Sequence, residues 1–355
     1  MNLNPIINNF QRPIRKVQIC CILIFSCAAC SLNIPYENQY SDPDAITTVT
    51  AARELLASAY DAIPKPEFSL SVLSDDFQPT FLINLNADLN NLYKWHPKPM
   101  EDLSNSLWEK YYSAIAIANT VLERIHYVSP ISDSDKQELQ CIVSEAKTLK
   151  AYCYFNLLRL FAPTYPEGPE KDGIILKERF ELAFLKRSSI SECVNAIRQL
   201  LTEAVTVDNR PSQVYWFSRQ SAYYLLAALE LYAENYDKAE EYALKILSST
   251  NAYNVLAPVH YKKLWEQEPC EECIFSLHTT NSYYTDMNYE RKKGDYFTIN
   301  STLTQLYTAN DIRYEATVYP QEMPGESIGE TLPVLYLGKY NKQNWNYKPI
   351  QYINK

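Results

Sequence analysis

Across residues 47–247 apolar side chains return every three or four positions, the period of an α-helix with one buried face. Ala51, Leu55, Ala59 and Ile63 step by four until Pro64, whose ring cannot continue a helix. Leu107, Trp108, Tyr111, Ile115, Ala118, Leu122 and Ile125 make a second stripe, and Ser106 with Glu109 has capping-box spacing, which predicts a helix start there. A third helix is predicted to open at Ser134 and Gln137 and to bury Leu139, Ile142, Ala146, Leu149, Cys153, Leu157 and Leu160 before Pro163 ends it. A fourth opens at Ser189 and Glu192 and buries Val194, Ile197, Leu201 and Ala204.

The stretch 219–250 says how these helices associate. Tyr223, Leu226 and Ala227 have the large, apolar and small character of the first helix of a tetratricopeptide repeat. The run Asn235-Tyr236-Asp237-Lys238-Ala239 then turns into a second helix, with Ala239 twelve residues after Ala227. Small residues at those two places let paired helices approach closely; the later small position holds Ile246 instead. One such pair cannot bury its own face, so the preceding helices are expected to stack beside it. The predicted fold is mainly α, with tetratricopeptide-like helix pairs forming a curved scaffold over about residues 47–250. Two stretches break the pattern. Residues 73–100 read as a long loop insertion, and residues 268–355 as a loop-rich, partly β remainder. Long loops on a helical scaffold are where binding concentrates.

Residues 1–29 have the layout of a targeting segment. Arg12, Arg15 and Lys16 precede a short apolar run, residues 17–29, too short for the roughly 20 residues that span a bilayer. Ala28 and Ala29 give a small-residue cleavage site directly before Cys30, the residue that would take a lipid anchor in a bacterium. Cys27 stands where such signals commonly have Leu, and the alternative is an ordinary secretory signal with incidental cysteines. Cleavage there would leave residues 30–355 as the mature domain. It would remove three basic and no acidic residues, taking the formal net charge from −9 to −12 (−9 minus 3). That negative field argues against nucleic acid phosphates as partners and against a basic patch for membrane contact, leaving the lipid as the membrane attachment.

The chemistry-bearing residues do not assemble into a catalytic pattern. Only six glycines occur, at 168, 173, 294, 325, 329 and 338, and they form no phosphate-cradling loop. His96, His126, His260 and His278 lack zinc-ligand spacing, and there is no Gly-x-Ser-x-Gly elbow. Asp75 and Asp76 are adjacent, so in extended chain they point apart rather than converging as a glycosidase pair; a turn is the expected role. Cys141, Cys153 and Cys193 lie in helical patterns as small hydrophobes. Cys270 and Cys273 form a disulfide or nothing, since no second pair completes a zinc site. No metal, cofactor or enzymatic activity is expected. Tyr111, Tyr112, Tyr152 and Tyr223 sit on helix stripes and are expected in the core.

Sugars present an apolar face and a hydroxyl rim, and aromatic rings beside amides suit both. Tyr93, Trp95 and His96, with Asn90 and Asn91 beside them, meet that description in the first insertion. Tyr283, Tyr284 and Tyr289 meet it in the second region. For each ring the alternative is packing of loop against scaffold.

Several ordered blocks resemble the SusD/RagB family. Residues 48–60 are similar to its first helix, and Ser74-Asp75-Asp76 to a short acidic motif. Trp108 to Tyr112, with Ile115 and the Ala118-to-Leu122 run, is close to its second block. Glu145-Ala-Lys-Thr-Leu-Lys-Ala-Tyr152, continuing through Phe155, Leu157, Arg159 and Phe161, is the most specific match. Arg187 to Glu192, Asn235 to Ala239, Glu272 to Phe275 and Asn310 to Arg313 follow in the family's order. The resemblance implies four tetratricopeptide-like helix pairs carrying a loop-rich remainder with the ligand site. It also implies a surface lipoprotein of the outer membrane that takes oligosaccharides, glycan fragments or peptides. These pass to a SusC-like TonB-dependent transporter; a scaffold lipoprotein without ligand is the alternative. Lys150 stands where the family usually has Arg, which keeps the charge but loses bidentate pairing with Glu145 or another acid. Members continue beyond the region of Gln351 into a further helix and a C-terminal arm. The resemblance implies that this sequence lacks the last helix pair, as a naturally short member or as a truncated product; truncation would leave an apolar helix face uncovered.

Overall fold

The computed structural model describes residues 46–179, 184–248, 261, 263, 273–279, 296–308, 310–325, 327, 329–337 and 348–354. The signal segment 1–29, Cys30, Cys270, Tyr283, Tyr284 and Tyr289 lie outside the described residues. Ten helices and six short strands follow in chain order from Ile46 among those described. The scaffold helices are α1 (Val49–Ala62), α4 (Pro97–Arg124), α5 (Asp133–Phe161), α6 (Ile190–Ala204), α7 (Arg219–Tyr232) and α8 (Tyr236–Leu247). Each packs on the next in that order, so the main core is a stack of helix pairs as the repeat spacing predicts. No helix among the described residues is long and apolar enough to cross a membrane.

Helix ends follow local chemistry. Thr48 caps α1, its Oγ1 accepting from Ala51 N at 3.1 Å. At α6 the expected capping box is present: Ser189 Oγ accepts from Glu192 N, and Glu192 Oε2 accepts from Ser189 N at 2.7 Å. Helix α5 opens two residues before the predicted position, because Ser132 and Asp135 close the box and Ser134 falls inside the first turn. Helix α4 differs more. It starts at Pro97 rather than Ser106, since proline at the first helical position has its φ preset and no N–H to satisfy. Ser106 and Glu109 are then mid-helix, and their capping spacing is unused.

Residues 73–100 are not a loop. They complete α2 (Glu67–Leu73) and hold β1 (Phe77–Pro79), a 3-10 turn at Phe81–Leu85 and α3 (Ala87–Tyr93), then enter α4. Thr80 caps the 3-10 turn and Asn86 caps α3. Each piece spans two turns or fewer, so no long-range period develops. Their apolar side chains instead fill a second core of Val72, Phe77, Ile83 and Leu92, closed by Phe297, Ile299 and Val318. Asp75 and Asp76 occupy the turn before β1, where Asp76 O accepts from Asn300 N at 2.9 Å.

Three two-stranded antiparallel ladders make up the β part among the described residues. Strand β1 pairs with β3 (Phe297–Ile299), Phe77 opposite Ile299. Strand β2 (Cys273–Thr279) pairs with β6 (Lys348–Asn354), and β4 (Val318–Pro324) pairs with β5 (Thr331–Leu337). Two short helices, α9 (Ser301–Gln305) and α10 (Ile312–Thr317), lie between β3 and β4. Asp311 caps α10 and also holds Arg313, its Oδ2 accepting from Nη2 at 2.6 Å.

Two carboxylates are only 1% exposed, Glu230 of α7 and Glu145 of α5, and Glu145 joins the most distant parts of the main core. Arg53 Nη1 of α1 donates to its Oε2 at 2.8 Å; Tyr60 OH donates to the same oxygen and Asn209 Nδ2 to Oε1, both at 3.3 Å. The Tyr60 hydroxyl also accepts from Phe217 N at 2.8 Å, and Asn209 Nδ2 also donates to Phe217 O. Phe217 stacks on Phe275 of β2 with ring centres 4.1 Å apart. Burial holds the Glu145 carboxyl above the usual carboxylate range, with Arg53 as the main opposing influence. Arg53, not Lys150, is therefore the buried partner of Glu145. Lys150 makes no ion pair among the described residues; its Nζ lies 5.7 Å from the Tyr154 ring centre, and burial lowers its pKa to about 8.

Two tyrosine hydroxyls substitute for a neighbouring strand. Tyr112 OH donates to Ile175 O and accepts from Ile175 N, and Tyr154 OH does the same for Lys177, all at 2.7–2.9 Å. The extended chain after α5 is thus held to the sides of α4 and α5 with its polar groups satisfied. Nearby, Gly173 faces Cys193 Sγ so closely that a Cβ would sit 2.8 Å from the sulfur, which leaves no room for a larger residue.

Two stability outcomes follow from the buried charges. Arg53→Ala leaves Glu145 buried without its cation and should cost about 3–5 kcal/mol in urea unfolding; a cost below 1 kcal/mol would contradict the network. Lys150→Met should stabilise the protein at pH 7 by about 3 kcal/mol, since burial lowers the pKa from 10.5 to about 8 and one pKa unit corresponds to roughly 1.4 kcal/mol. The unfolded lysine binds a proton that the folded one resists, so wild-type stability should rise from pH 8 to 10.5 and the advantage of Met should shrink over that window.

Candidate functional site

The residues predicted to bind are carried by the junction of α3 and α4. Lys94 ends α3, and the next residue, Trp95, has a left-handed backbone with φ +56°. His96 N donates to Asn91 O and Trp95 N donates to Leu92 O, both at 2.9 Å. That bond pair is the Schellman arrangement, in which the left-handed position ordinarily holds glycine. A Cβ in this region costs about 1–2 kcal/mol. The tryptophan sits there nonetheless, 60% exposed. His96 follows, exposed and extended, as the residue preceding Pro97, and makes no side-chain cap bond.

The other predicted residues divide by role. Tyr93 packs its ring 5.8 Å from Phe297 in the second core, so it supports the turn from beneath. Asn91 contributes its carbonyl to the Schellman pair, and its neighbour Asn90 accepts from Lys94 N at 3.1 Å through its own. The Asn90 amide donates to Asn84 Oδ1 at 3.4 Å, which adds a residue the sequence reading left out. Asn84 and the 76%-exposed Leu85 lie at the end of the 3-10 turn. A run of Asn at 84, 86, 90 and 91 was the available signal. The structure thus brings Trp95 and His96 to the surface together and uses Tyr93, Asn90 and Asn91 to hold the turn. Among the described residues no group of three His, Cys, Asp or Glu side chains is placed to hold a metal ion.

The four stripe tyrosines also divide. Tyr111 and Tyr152 are buried, whereas Tyr112 and Tyr223 are half-buried. Helices α7 and α8 expose Leu231, Tyr236 and Leu247 around a groove of about 500 Å³ lined also by Ala227, Ala228, Ala239 and Ala243. Ala227 and Ala239, the two small residues of the repeat spacing, both line this groove. The turn joining the pair repeats the geometry at Trp95: Glu234 has φ +59°, with Asn235 N donating to Glu230 O and Glu234 N to Leu231 O. The Glu230 carboxylate beneath it is buried and takes Arg198 of α6 and the Asn235 amide.

Residues 35–231 match the model of the SusD-like family described as starch-binding and associating with the outer membrane. A SusD-like protein from Formosa agariphila is 25% identical over 232 residues, 63% of this chain but 42% of the relative's length. The structure is similar to a SusD-like carbohydrate-binding protein from Bacteroides vulgatus, with TM-score 0.68 and 16% identity over 85% of this chain and 68% of that one. Surface glycan-binding protein A from Bacteroides uniformis aligns with TM-score 0.62 and 17% identity, over 85% of this chain and 72% of that one.

Glycine at either left-handed position removes the Cβ clash at some cost in unfolded-chain entropy. Glu234→Gly should therefore raise stability by about 0.5–1 kcal/mol, and Trp95→Gly should not lower it. Loss of more than 1 kcal/mol in either variant, read by thermal unfolding, would show that the side chain and not the turn sets the backbone.

Proposed function

Since this chain belongs to the SusD-like family, we propose that it captures oligosaccharides or glycan fragments at the Trp95 turn and delivers them to a SusC-like TonB-dependent outer-membrane transporter. The observation that carries this reading is an exposed tryptophan fixed in a strained turn at the head of a 28-residue helix. A large ring exposed at a position that favours glycine gains nothing for folding, whereas its flat apolar face suits the C–H face of a sugar ring. His96 and the Asn84–Asn90 pair supply hydrogen-bonding groups on the same segment. Cys30 is the proposed lipid attachment point, holding the protein to the outer membrane at the cell surface. Tyr283, Tyr284 and Tyr289 are proposed as further contacts. The role is binding and transfer, without catalysis or cofactor.

Peptides are the alternative cargo, since an aromatic platform beside amides also fits a peptide backbone. A scaffold lipoprotein without ligand is the second reading, favoured by the exposed apolar face of α7 and α8.

A glycan and peptide array probed with the detergent-solubilised lipoprotein, together with pull-down from outer membranes, tests the reading. Binding to a defined oligosaccharide, reduced at least tenfold by Trp95→Ala, and co-purification of a large β-barrel are expected. Co-purification without any ligand would favour the scaffold. Silence in both assays would overturn the proposal, and unchanged affinity in Trp95→Ala would remove that turn as the site. Labelled palmitate should be incorporated by the wild type and not by Cys30→Ser.

A further inference from the structure

A second concave site lies away from the Trp95 turn, between the connection preceding α7, the first turns of α7, the end of α8 and the start of β2. Its volume is about 580 Å³, within the range of small-ligand pockets. Among the described residues, its lining carries the cations Arg210, Arg219 and Lys245 and no carboxylate. The balancing acids stand behind them. Asp208 accepts from Arg210 Nε at 2.9 Å and from Arg219 Nη1 at 3.0 Å, while Glu241 accepts from both Lys245 and Lys238. Among the described residues two carboxylates, one of them shared with Lys238 outside the lining, thus stand behind three lining cations, so the cavity wall is positive on a chain whose formal net charge is −9.

The remaining lining suits a sugar ring. Trp216 is half-buried and cannot swing, since the Tyr60 ring meets it edge-on at 5.0 Å and the Arg53 guanidinium lies 5.2 Å from its centre. Tyr223 is stacked on Tyr242 and overlain by Lys245 Nζ at 5.6 Å. Gln220 supplies an amide able both to donate to and accept from vicinal hydroxyls. A fixed aromatic edge, an amide and a surplus of cations form a set that neither a neutral sugar nor an apolar molecule uses fully. An unpaired guanidinium N–H and an ammonium both favour an oxyanion.

We propose that this pocket binds a sugar residue bearing an oxyanion, either a uronate carboxylate or a sulfate ester. The guanidinium of Arg210 and the ammonium of Lys245 take the oxyanion, and the Trp216 edge and Gln220 take the ring. Arg219 is held to Val205 O and Asp208, and it orients the site rather than gripping the ligand.

The full lipoprotein in detergent would be titrated with galacturonate oligomers, sulfated galactose oligomers, neutral galactose oligomers of equal length and inorganic sulfate, read by calorimetry and tryptophan fluorescence. At least one acidic oligomer should bind ten times more tightly than the neutral one, and its affinity should fall as salt rises. Arg210→Gln and Lys245→Gln, both at exposed positions, should each weaken that binding at least tenfold with unchanged circular dichroism. Trp95→Ala should leave it intact, which separates this site from the proposed capture turn. Failure of both acidic oligomers, equal binding of the neutral oligomer, indifference to both variants, or inorganic sulfate binding as tightly as the acidic sugars would each overturn the proposal.

Discussion

Burying a carboxylate costs several kcal/mol unless its charge and lone pairs are met, and at Glu145 three side chains from two separate parts of the chain meet them. Arg53 and Tyr60 come from α1, and Asn209 from the connection between α6 and α7. In a stack of helix pairs each element otherwise touches only near neighbours. The carboxylate makes α1 and that distant connection answer to one point on α5. Because Tyr60 also binds the Phe217 amide, and Phe217 stacks on Phe275, the strand that follows the repeats takes its position from the same point. Strand β2 is thus tied to the scaffold by an aromatic stack whose inner member, Phe217, is fixed by the polar network.

The helical scaffold was legible because its helices are long enough for a period to show. The start of α6 at Ser189 and the α7–α8 pair follow from spacing alone. Helix α4 was misplaced by nine residues at its start, since a proline in first position is as good a beginning as a capping box and leaves no periodic trace. The region 73–100 read as loop because its elements are too short for a repeat, and because β1 is completed by β3, more than 200 residues away. The partner of Glu145 was equally hidden. Lys150 is nearer in sequence and of the right charge, but Arg53 reaches across from another helix, and no local pattern encodes that.

For the site, the aromatic cluster was visible and its division of labour was not. Whether a tyrosine is platform or packing depends on what lies under it. Tyr93 is committed by Phe297, a residue of the distant strand. Trp95 is committed by backbone geometry, which sequence conceals because that position ordinarily announces itself with glycine. The pocket beside Trp216 was missed for a related reason: its cations come from the α6–α7 connection, α7 and α8, and only the stacking of those helices brings them together.

The turn at Trp95, as the proposed capture site, has a kinetic consequence. Its backbone is set by the chain's own hydrogen bonds, so a ligand that lands there has little left to order, and association can proceed near the rate of productive encounter. The turn by itself offers one open face among the described residues, and so gives few contacts to break on departure. Residence times are then short even where capture is fast. In the proposed role, a platform of that kind does not compete with the transporter for the cargo, and the transporter sets the speed of transfer.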